Sequence, residues 1–251
     1  MIFVLGYKGF VGSAIYEYLR RKKFKVTGID LDNYQDFYDK QCDVLINANG
    51  NSSKILAEKE PLKDFELSVT SVIKTFFDFK FKKYIYISSI DVYNRQDREN
   101  FTKEDTPIYV EGLSHYGFHK YLAENLVKNY CSDWLIIRLG GMVGPNMKKG
   151  PIYDIINEKK LWVSSKSKFL ALHTYEVAKA LVKLLEIKNE IFNVVASDNI
   201  ELREVARIFN KKIVDEEKNI LIYKINCQKI NRIIKMPTSL ECIKRIRKDL
   251  T

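Results

Sequence analysis

Residues 1–12 of the chain read MIFVLGYKGFVG, an apolar run followed by three glycines spaced three residues apart. The run Ile2–Leu5 has the composition of a buried strand, and apolar residues at helical spacing follow the last glycine. Glycine is needed where a strand turns tightly into a helix and where the backbone approaches a phosphate closely. This order predicts a turn that binds the pyrophosphate of a dinucleotide through Gly6, Gly9, Phe10, Val11 and Gly12. Loop glycines that bind no ligand are the alternative.

Short apolar runs alternate with segments of helical period along the rest of the chain. The predicted strands are Ile2–Leu5, Lys25–Ile29, Val44–Asn47, Tyr84–Ser88, Trp134–Leu139 and Ile191–Val195. The alternation predicts an α/β fold, a Rossmann-type doubly wound parallel sheet with a small C-terminal substrate-binding lobe. We assign residues 1–146 and about 171–198 to the dinucleotide-binding domain, and about 147–170 and 199–251 to the lobe.

Composition narrows the class of protein. The chain has 42 Lys and Arg against 32 Asp and Glu, a net charge of +10, but the basic residues are dispersed. Nucleic-acid binding, which would show a steep salt dependence, is therefore the less favoured alternative. No apolar run approaches the ~20 residues of a membrane-spanning helix, and no signal peptide is recognisable. The four cysteines and three histidines have no paired spacing, so the sequence predicts neither a metal site nor disulfides. Cysteines without a disulfide pattern favour a reducing compartment, so we expect a cytoplasmic protein.

Asp30 ends the second predicted strand. A carboxylate at this place can accept both ribose hydroxyls of an adenosine and repels a 2′-phosphate. The residue therefore favours NAD over NADP, although Lys8 in the glycine turn offsets part of the repulsion. A solvated turn aspartate is the alternative.

Tyr116 and Lys120 are four residues apart and so lie on one face of a predicted helix. A nearby ammonium lowers the pKa of a phenol, which lets a tyrosine exchange protons closer to neutral pH. We expect the apolar stripe that includes Ala123 and Val127 to point elsewhere, leaving the Tyr–Lys face for a cleft. Such a pair also arises often by chance.

Ser88 and Ser89 end the fourth predicted strand, at the strand end where α/β sheets bind ligands. Together with the glycine turn and the Tyr–Lys pair, they make a pattern that resembles the extended short-chain dehydrogenase/reductases, the NAD-dependent epimerase/dehydratase family. The resemblance runs nearly end to end and is carried further by residues 43–50, 88–93, 104–107, 138–145, 173–178 and 237–241.

The resemblance implies a role for each matching residue. Ser89 hydrogen-bonds the substrate oxygen, Tyr116 is the acid/base, and Lys120 holds the nicotinamide ribose and depresses the pKa of Tyr116. Asp91 falls where relatives keep an additional acid/base, with a capping or turn aspartate as an equal alternative. Ala48 and Ser88 complete the expected cofactor-binding residues, which also include Tyr116 and Lys120.

The family analogy implies an NAD-dependent epimerase or reductase that acts on a nucleotide-activated sugar and forms a homodimer. A dehydratase is not favoured, because Ile90 replaces the acid that follows the catalytic hydroxyl in those relatives. A dinucleotide-binding sensor without redox chemistry is the remaining alternative.

Three departures from the family pattern stand out. Residues 30–43 are too short for the β-α unit that usually helps to hold adenine. Ser68 and Ser71 stand where relatives have Asn and Gly, and the asparagine normally supports a proton relay to the lysine. Phe169 stands where a basic residue is usual. His115 and His119 are expected to be surface or helix-face residues.

Overall fold

The structure, a computed structural model, describes residues 1–213 and 219–250. Its elements in the first half are β1 (Ile2–Leu5), α1 (Phe10–Arg21), β2 (Val26–Ile29), β3 (Gln41–Asn47), α2 (Lys54–Lys59), α3 (Pro61–Phe65), α4 (Ser71–Asp78), β4 (Lys80–Ser89) and α5 (His115–Tyr130). Those in the second half are β5 (Trp134–Leu139), β6 (Met142–Val143), α6 (Pro151–Ile156), β7 (Lys168–Phe169), β8 (Leu172–His173), α7 (Thr174–Leu184), β9 (Glu190–Val194), β10 (Ile200–Glu201), α8 (Leu202–Phe209), α9 (Gln228–Asn231) and α10 (Ser239–Leu250).

A six-stranded parallel sheet in the order β2-β1-β3-β4-β5-β9 forms the centre of the molecule, which confirms the predicted fold class and all six predicted strands. Leu5 of β1 pairs with Ile29 on one side and with Asn47 on the other. From β1 the chain moves outward to β2 and then crosses to β3 on the opposite side. This reversal places the topological switch point, where such sheets bind ligands, at the carboxyl ends of β1 and β3.

Both faces of the sheet are covered by helices, so its central strands are largely apolar on both faces rather than alternating between apolar and polar residues. In β1, Ile2 and Val4 belong to the core cluster that includes side chains of α1 and α7. Phe3 and Leu5 belong to a second cluster with side chains of α4 and α5. The two-residue period of the strand thus divides one short sequence between two cores.

Only a short 3₁₀ turn, Tyr34–Phe37, lies between β2 and β3, so β2 is an edge of the sheet. The classic dinucleotide-binding order has a further strand outside this one. The ring of Phe37 packs edge-to-face on that of Phe3, with centroids 5.4 Å apart, and covers the sheet there. The expectation of a shortened segment after Asp30 is confirmed.

The C-terminal segments pack against one face of the central sheet and extend its hydrophobic core. Ile243 and Ile246 of α10 are buried in the same cluster as Val4 of β1. Two small sheets, β7 with β10 and β6 with β8, tie these segments to the chain after β5. The boundary between a cofactor domain and a lobe stays a prediction. Within residues 1–213 and 219–250, no helix has the length and apolar character needed to span a membrane.

Candidate active site

The glycine turn leaves β1 and enters α1 with no space for side chains at its ends. Gly6 has a φ of +73°, a conformation that favours glycine, and a Cβ there would lie 3.1 Å from the carbonyl oxygen of Ala48. A Cβ on Gly12 would collide with the carbonyl oxygen of Gly6. The turn therefore packs against both α1 and the end of β3, where Ala48 lies, and a role of Ala48 in cofactor binding stays a prediction.

The N-terminus of α1 fits the phosphates of a dinucleotide. Gly9 caps this 12-residue helix without any side-chain hydrogen bond to its amides. The first intrahelical bond runs from Ser13 N to Gly9 O at 2.9 Å, which leaves the N–H groups of Phe10, Val11 and Gly12 outside the helical ladder. These amides and the helix dipole suit an anion such as the pyrophosphate of NAD.

Asp30 lies beside this turn, at the end of β2. Its carboxylate accepts hydrogen bonds from the backbone N–H of Lys8 at 3.1 Å and of Leu31 at 2.9 Å. The ammonium of Lys8 instead pairs with Asp32 at 2.6 Å. The carboxylate is thus held in place by backbone amides, as ribose binding requires, while the charge of Lys8 is directed to the neighbouring acid.

Ser89 and Tyr116 come together because α5 begins directly against the end of β4. A Cβ on Gly117 would collide with the carbonyl oxygen of Asp91, so only glycine permits this approach. Ser114 caps α5 by accepting the N–H of Gly117 at 3.2 Å. The structure therefore brings together three of the predicted catalytic groups: the Ser89 hydroxyl, the Tyr116 phenol and, one helical turn later, Lys120.

The Tyr–Lys face of α5 is not separate from the apolar stripe, contrary to our expectation. Tyr116, Lys120, Ala123 and Val127 are all buried along one continuous side of the helix. Spacings of four, three and four residues are those of a single helical face, so the polar and apolar members share it. The two polar groups occupy its N-terminal end, where the helix reaches the end of β4.

Burial dominates the pKa values of the pair. Burial raises the pKa of Tyr116 and the charge of Asp91 raises it further, whereas the Ser89 hydroxyl lowers it. This direction is opposite to the one expected from Lys120 alone. Burial also lowers the pKa of Lys120 to about 8, against the opposing charges of Asp64 and Glu124. Burial thus disfavours the charged form of both groups, the phenolate of Tyr116 and the ammonium of Lys120.

Asp91 is more constrained than the sequence suggested. It accepts hydrogen bonds from the Ser89 hydroxyl at 3.0 Å and from Gln96 Nε2 at 3.2 Å. It also pairs with the ammonium of Lys54 at 2.5 Å. Burial works against that ammonium, but the charge and hydrogen bond of Asp91 outweigh it and raise the pKa of Lys54 above its usual value. Lys54 was not among the predicted site residues. Nothing in the sequence marks it, because it comes from α2, far from the serine motif.

Ser88 is hydrogen-bonded to a buried carboxylate of α5. Its hydroxyl donates to the buried Glu124 at 2.6 Å, and Glu124 also receives two hydrogen bonds from Arg138, at 2.9 and 2.7 Å. Successive side chains of β4 face opposite sides of the sheet, so the side chains of Ser88 and Ser89 leave the strand on opposite faces. The Ser88 side chain joins α5 to the sheet, and a role in cofactor binding stays a prediction.

The two histidines of α5 differ in their surroundings. His115 is exposed and lies 3.2 Å from the carboxylate of Glu58, as expected of a surface residue. His119 is buried, with Nδ1 2.7 Å from the carboxylate of Asp64, which is itself fully buried in α3. His119 is therefore not a surface residue but lies on a buried face of α5. Asp64 is a second residue near the site that the sequence analysis missed.

Comparison with known proteins agrees with this arrangement. A family model described as the NAD dependent epimerase/dehydratase family matches residues 2–195. No curated protein sequence matches the chain significantly. Among solved structures, UDP-galactose 4-epimerase superimposes with a TM-score of 0.83 at 20% sequence identity, covering 99% of this chain and 98% of that chain.

Two further structures show the same fold with different cofactors bound. A variant of UDP-glucuronic acid 4-epimerase from Bacillus cereus, in complex with UDP-4-deoxy-4-fluoro-glucuronic acid and NAD, has a TM-score of 0.79 at 16% identity and covers 100% of this chain and 99% of its own. RMD from Pseudomonas aeruginosa, complexed with NADPH, has a TM-score of 0.78 at 18% identity and covers 99% of both chains. At such identities the likeness establishes the fold alone.

Proposed function

The chain belongs to the NAD-dependent epimerase/dehydratase family, and we propose that it moves a hydride between NAD and a hydroxyl-bearing carbon of a nucleotide-activated sugar. The observation that carries this proposal is the meeting of Ser89, Tyr116 and Lys120 where α5 abuts the end of β4. The glycine turn before α1 offers its free amides at the switch point of the same sheet. A dinucleotide there and a sugar beside Tyr116 would share one edge of the sheet.

The proposed chemistry needs a base for the hydroxyl proton and a stabiliser for the carbonyl oxygen that forms. When bound, NAD supplies the acceptor for the hydride that leaves the sugar carbon. Tyr116, as a phenolate, takes the hydroxyl proton in the same oxidation, and Ser89 donates a hydrogen bond to the new carbonyl oxygen. Because burial raises the pKa of Tyr116, the phenolate needs a cation beside it, and Lys120 is the cation that α5 supplies.

Ser89 has to change its hydrogen bond for this step. In the structure its hydroxyl donates to Asp91. A substrate oxygen would compete with Asp91 Oδ2 for the proton, while Lys54 and Gln96 would still bond the other oxygen, Oδ1. We therefore assign Asp91 to holding the Ser89 hydroxyl before substrate arrives. Its role as an additional acid/base requires removal of the Lys54 partner and stays open.

An epimerase keeps its reduced cofactor and returns the hydride to the same sugar, whereas a reductase releases it. The carboxylate of Asp30 favours NAD and leans toward the epimerase, with a keto-sugar reductase as the alternative. The protein should be purified without added cofactor, denatured, and its released nucleotide identified by mass spectrometry. Stoichiometric NAD supports the epimerase, and exchangeable binding of NADH or NADPH supports the reductase. A protein that binds neither would overturn the proposal.

We also propose a cytoplasmic homodimer. All four cysteines are free and buried, as suits a reducing compartment. The outer face of α4 and α5 exposes large apolar side chains, among them Phe77 and Tyr130, whose ring centroids lie 6.0 Å apart. A second copy of the chain would cover this face.

A further inference from the structure

Asp64 is a fully buried carboxylate with a complete set of hydrogen-bond partners. Its Oδ1 accepts from Asn51 Nδ2 at 2.8 Å and from the Ser68 hydroxyl at 3.0 Å. Its Oδ2 lies 2.7 Å from His119 Nδ1, and because a carboxylate only accepts, the ring donates. A charge removed from water is costly unless it is bonded in this way. Three residues from three segments thus hold one carboxylate inside the protein.

This carboxylate lies next to the pocket that holds Lys120. His119 precedes Lys120 in α5, and the Lys120 ammonium lies against Gly50, where a Cβ would be 3.7 Å from Nζ. Gly50, at a φ of +117°, is equally close to Ser68, whose Cα would be 3.9 Å from the same Cβ. Ser68 in turn bonds Asp64. Lys120 and Ser68, a member of the Asp64 cluster, therefore approach the same side of one glycine.

Among the described residues, the other groups around Lys120 are either neutral or, like Glu124, already paired with a cation. Its ammonium donates a long hydrogen bond, 3.5 Å, to the carbonyl of Ile87 and faces the ring of Tyr86, 5.3 Å from the centroid. Glu124, one turn further along α5, is neutralised by the two hydrogen bonds from Arg138. The partners of Asp64 on its Oδ1, by contrast, are the neutral side chains of Asn51 and Ser68.

We propose that Asp64 is a positioning residue whose carboxylate, fixed by His119, keeps the buried Lys120 in its ammonium form. The assignment rests on the proposed function only in taking Lys120 as the lysine that serves Tyr116. Of the two charges that oppose the effect of burial on the pKa of Lys120, Asp64 is the larger. The negative charge of Asp64 also raises the pKa of Tyr116, which by itself disfavours the phenolate. Asp64 therefore assists the phenolate only indirectly, by keeping Lys120 positively charged.

The test is the titration of Lys120 itself, which needs neither substrate nor cofactor. The protein is labelled with ¹³C-lysine, the Cε resonance of Lys120 is assigned with the variant Lys120→Arg, and its pH midpoint is compared with that of Asp64→Asn. The expected result is a midpoint lower by about one pH unit or more in the variant, a tenfold change in proton affinity. An unchanged midpoint in a folded Asp64→Asn protein would overturn the proposal.

Two control variants separate charge from packing. His119→Asn keeps an N–H donor for Asp64 and should leave the Lys120 midpoint at the wild-type value. Glu60→Gln removes an exposed carboxylate that pairs with Lys63 at the start of the same helical segment, and should also leave it unchanged. A midpoint that falls equally in all three variants would contradict the proposal.

A measurement on the wild-type protein covers the case in which Asp64→Asn does not fold. The carboxyl carbon of Asp64, labelled with ¹³C-aspartate and assigned through the backbone, should shift in a step at the midpoint of Lys120. No step would refute the proposal. Because these titrations do not depend on turnover, a protein without epimerase or reductase activity would still show them, and the two proposals fail separately.

Discussion

Gly117, in the first turn of α5, lies directly against the carbonyl oxygen of Asp91, where no side chain fits. Because Gly117 follows Tyr116 and Asp91 lies two residues after Ser89, we expect this contact to control how closely the Tyr116 phenol approaches the Ser89 hydroxyl. We expect Gly117→Ala to push the start of α5 away from β4, to cost about 1–3 kcal/mol of stability, and to lower turnover about 10- to 100-fold. NAD affinity should change little, because the glycine turn before α1 is untouched.

The matched control for this variant is Gly112→Ala. A Cβ on Gly112 would meet the end of the Asn94 side chain, at 2.8 Å, rather than backbone, and moving that amide disturbs only its exposed hydrogen bonds with Tyr109. Stability follows from denaturant unfolding and turnover from steady-state kinetics on the substrate found. Equal losses in the two variants would contradict the argument from the Asp91 contact.

Tyr116→Phe should abolish the chemical step while leaving the cofactor bound. The phenyl ring fills the same buried site, but no group remains to take the hydroxyl proton, so turnover should fall about 10²- to 10⁴-fold. NAD affinity, measured by calorimetry, should stay within a factor of about two of wild type. Tyr121→Phe on the same helix is the control. Turnover unchanged by Tyr116→Phe would eliminate the proposed mechanism.

The buried ammonium of Lys120 should cost the protein stability. Burial lowers the pKa of Lys120 from 10.5 to about 8. Below pH 8 the folded protein therefore holds a buried ammonium, whereas in the unfolded chain the same ammonium is hydrated. At about 1.4 kcal/mol per pKa unit, the cost at pH 7 is about 3 kcal/mol. Lys120→Met should therefore raise the free energy of unfolding at pH 7 by about 1–3 kcal/mol and abolish turnover.

The pH dependence identifies the cause of this gain. Between pH 8 and 10.5 the folded protein has released the Lys120 proton while the unfolded chain still binds it, so the wild type recovers stability as the pH rises. The advantage of Lys120→Met should shrink between pH 7 and pH 9.5 in denaturant titrations. Lys63→Met, an exposed lysine, is the control. A gain independent of pH would show that packing rather than charge is responsible.

The sequence was sufficient for the sheet and for the three groups at its edge, because these depend on local patterns. Apolar runs mark the strands, the glycines mark the turn, and a spacing of four residues places Tyr116 and Lys120 on one helical face. The same period, applied further, shows that Ala123 belongs to that face too. Our separation of the polar and apolar stripes overlooked this continuity.

Pairs of polar side chains from distant segments could not be found in this way. Asp64 and His119 are 55 residues apart and Lys54 and Asp91 are 37 apart. Asp64 and Lys54 carry no local signal: an aspartate in the first turn of a helix looks like an ordinary dipole partner, and a lysine in a short helix looks solvated. Their roles follow from burial and mutual contact, which only the tertiary structure provides.

The outer face of α4 and α5 should hold a second copy of the chain. The side chains of Phe77 and Tyr130 are 71% and 51% exposed. Neighbouring large aromatic rings that are exposed to this extent are typical of a surface that binds another protein. Phe77→Glu with Tyr130→Glu should convert a dimer to a monomer in light scattering, without loss of secondary structure. Ile233→Glu, a partly exposed apolar residue elsewhere, should leave the mass unchanged. A wild-type protein that is monomeric at micromolar concentration would contradict the proposal.

The choice between NAD and NADP should depend on two neighbouring acids. Asp30 accepts hydrogen bonds from two backbone N–H groups and is the expected partner of the ribose hydroxyls, whereas Asp32 forms an ion pair with Lys8. Asp30→Asn removes the charge that strengthens those ribose bonds, and NAD affinity should fall about 10- to 100-fold. Asp32→Asn frees Lys8 beside the site of a 2′-phosphate, so NADP affinity should rise several-fold while NAD affinity is kept. Calorimetric titration of both variants with both cofactors tests this division of roles. Equal losses of NAD affinity in the two variants would mean that the carboxylates act only through their summed charge and not through the hydrogen bonds assigned to each.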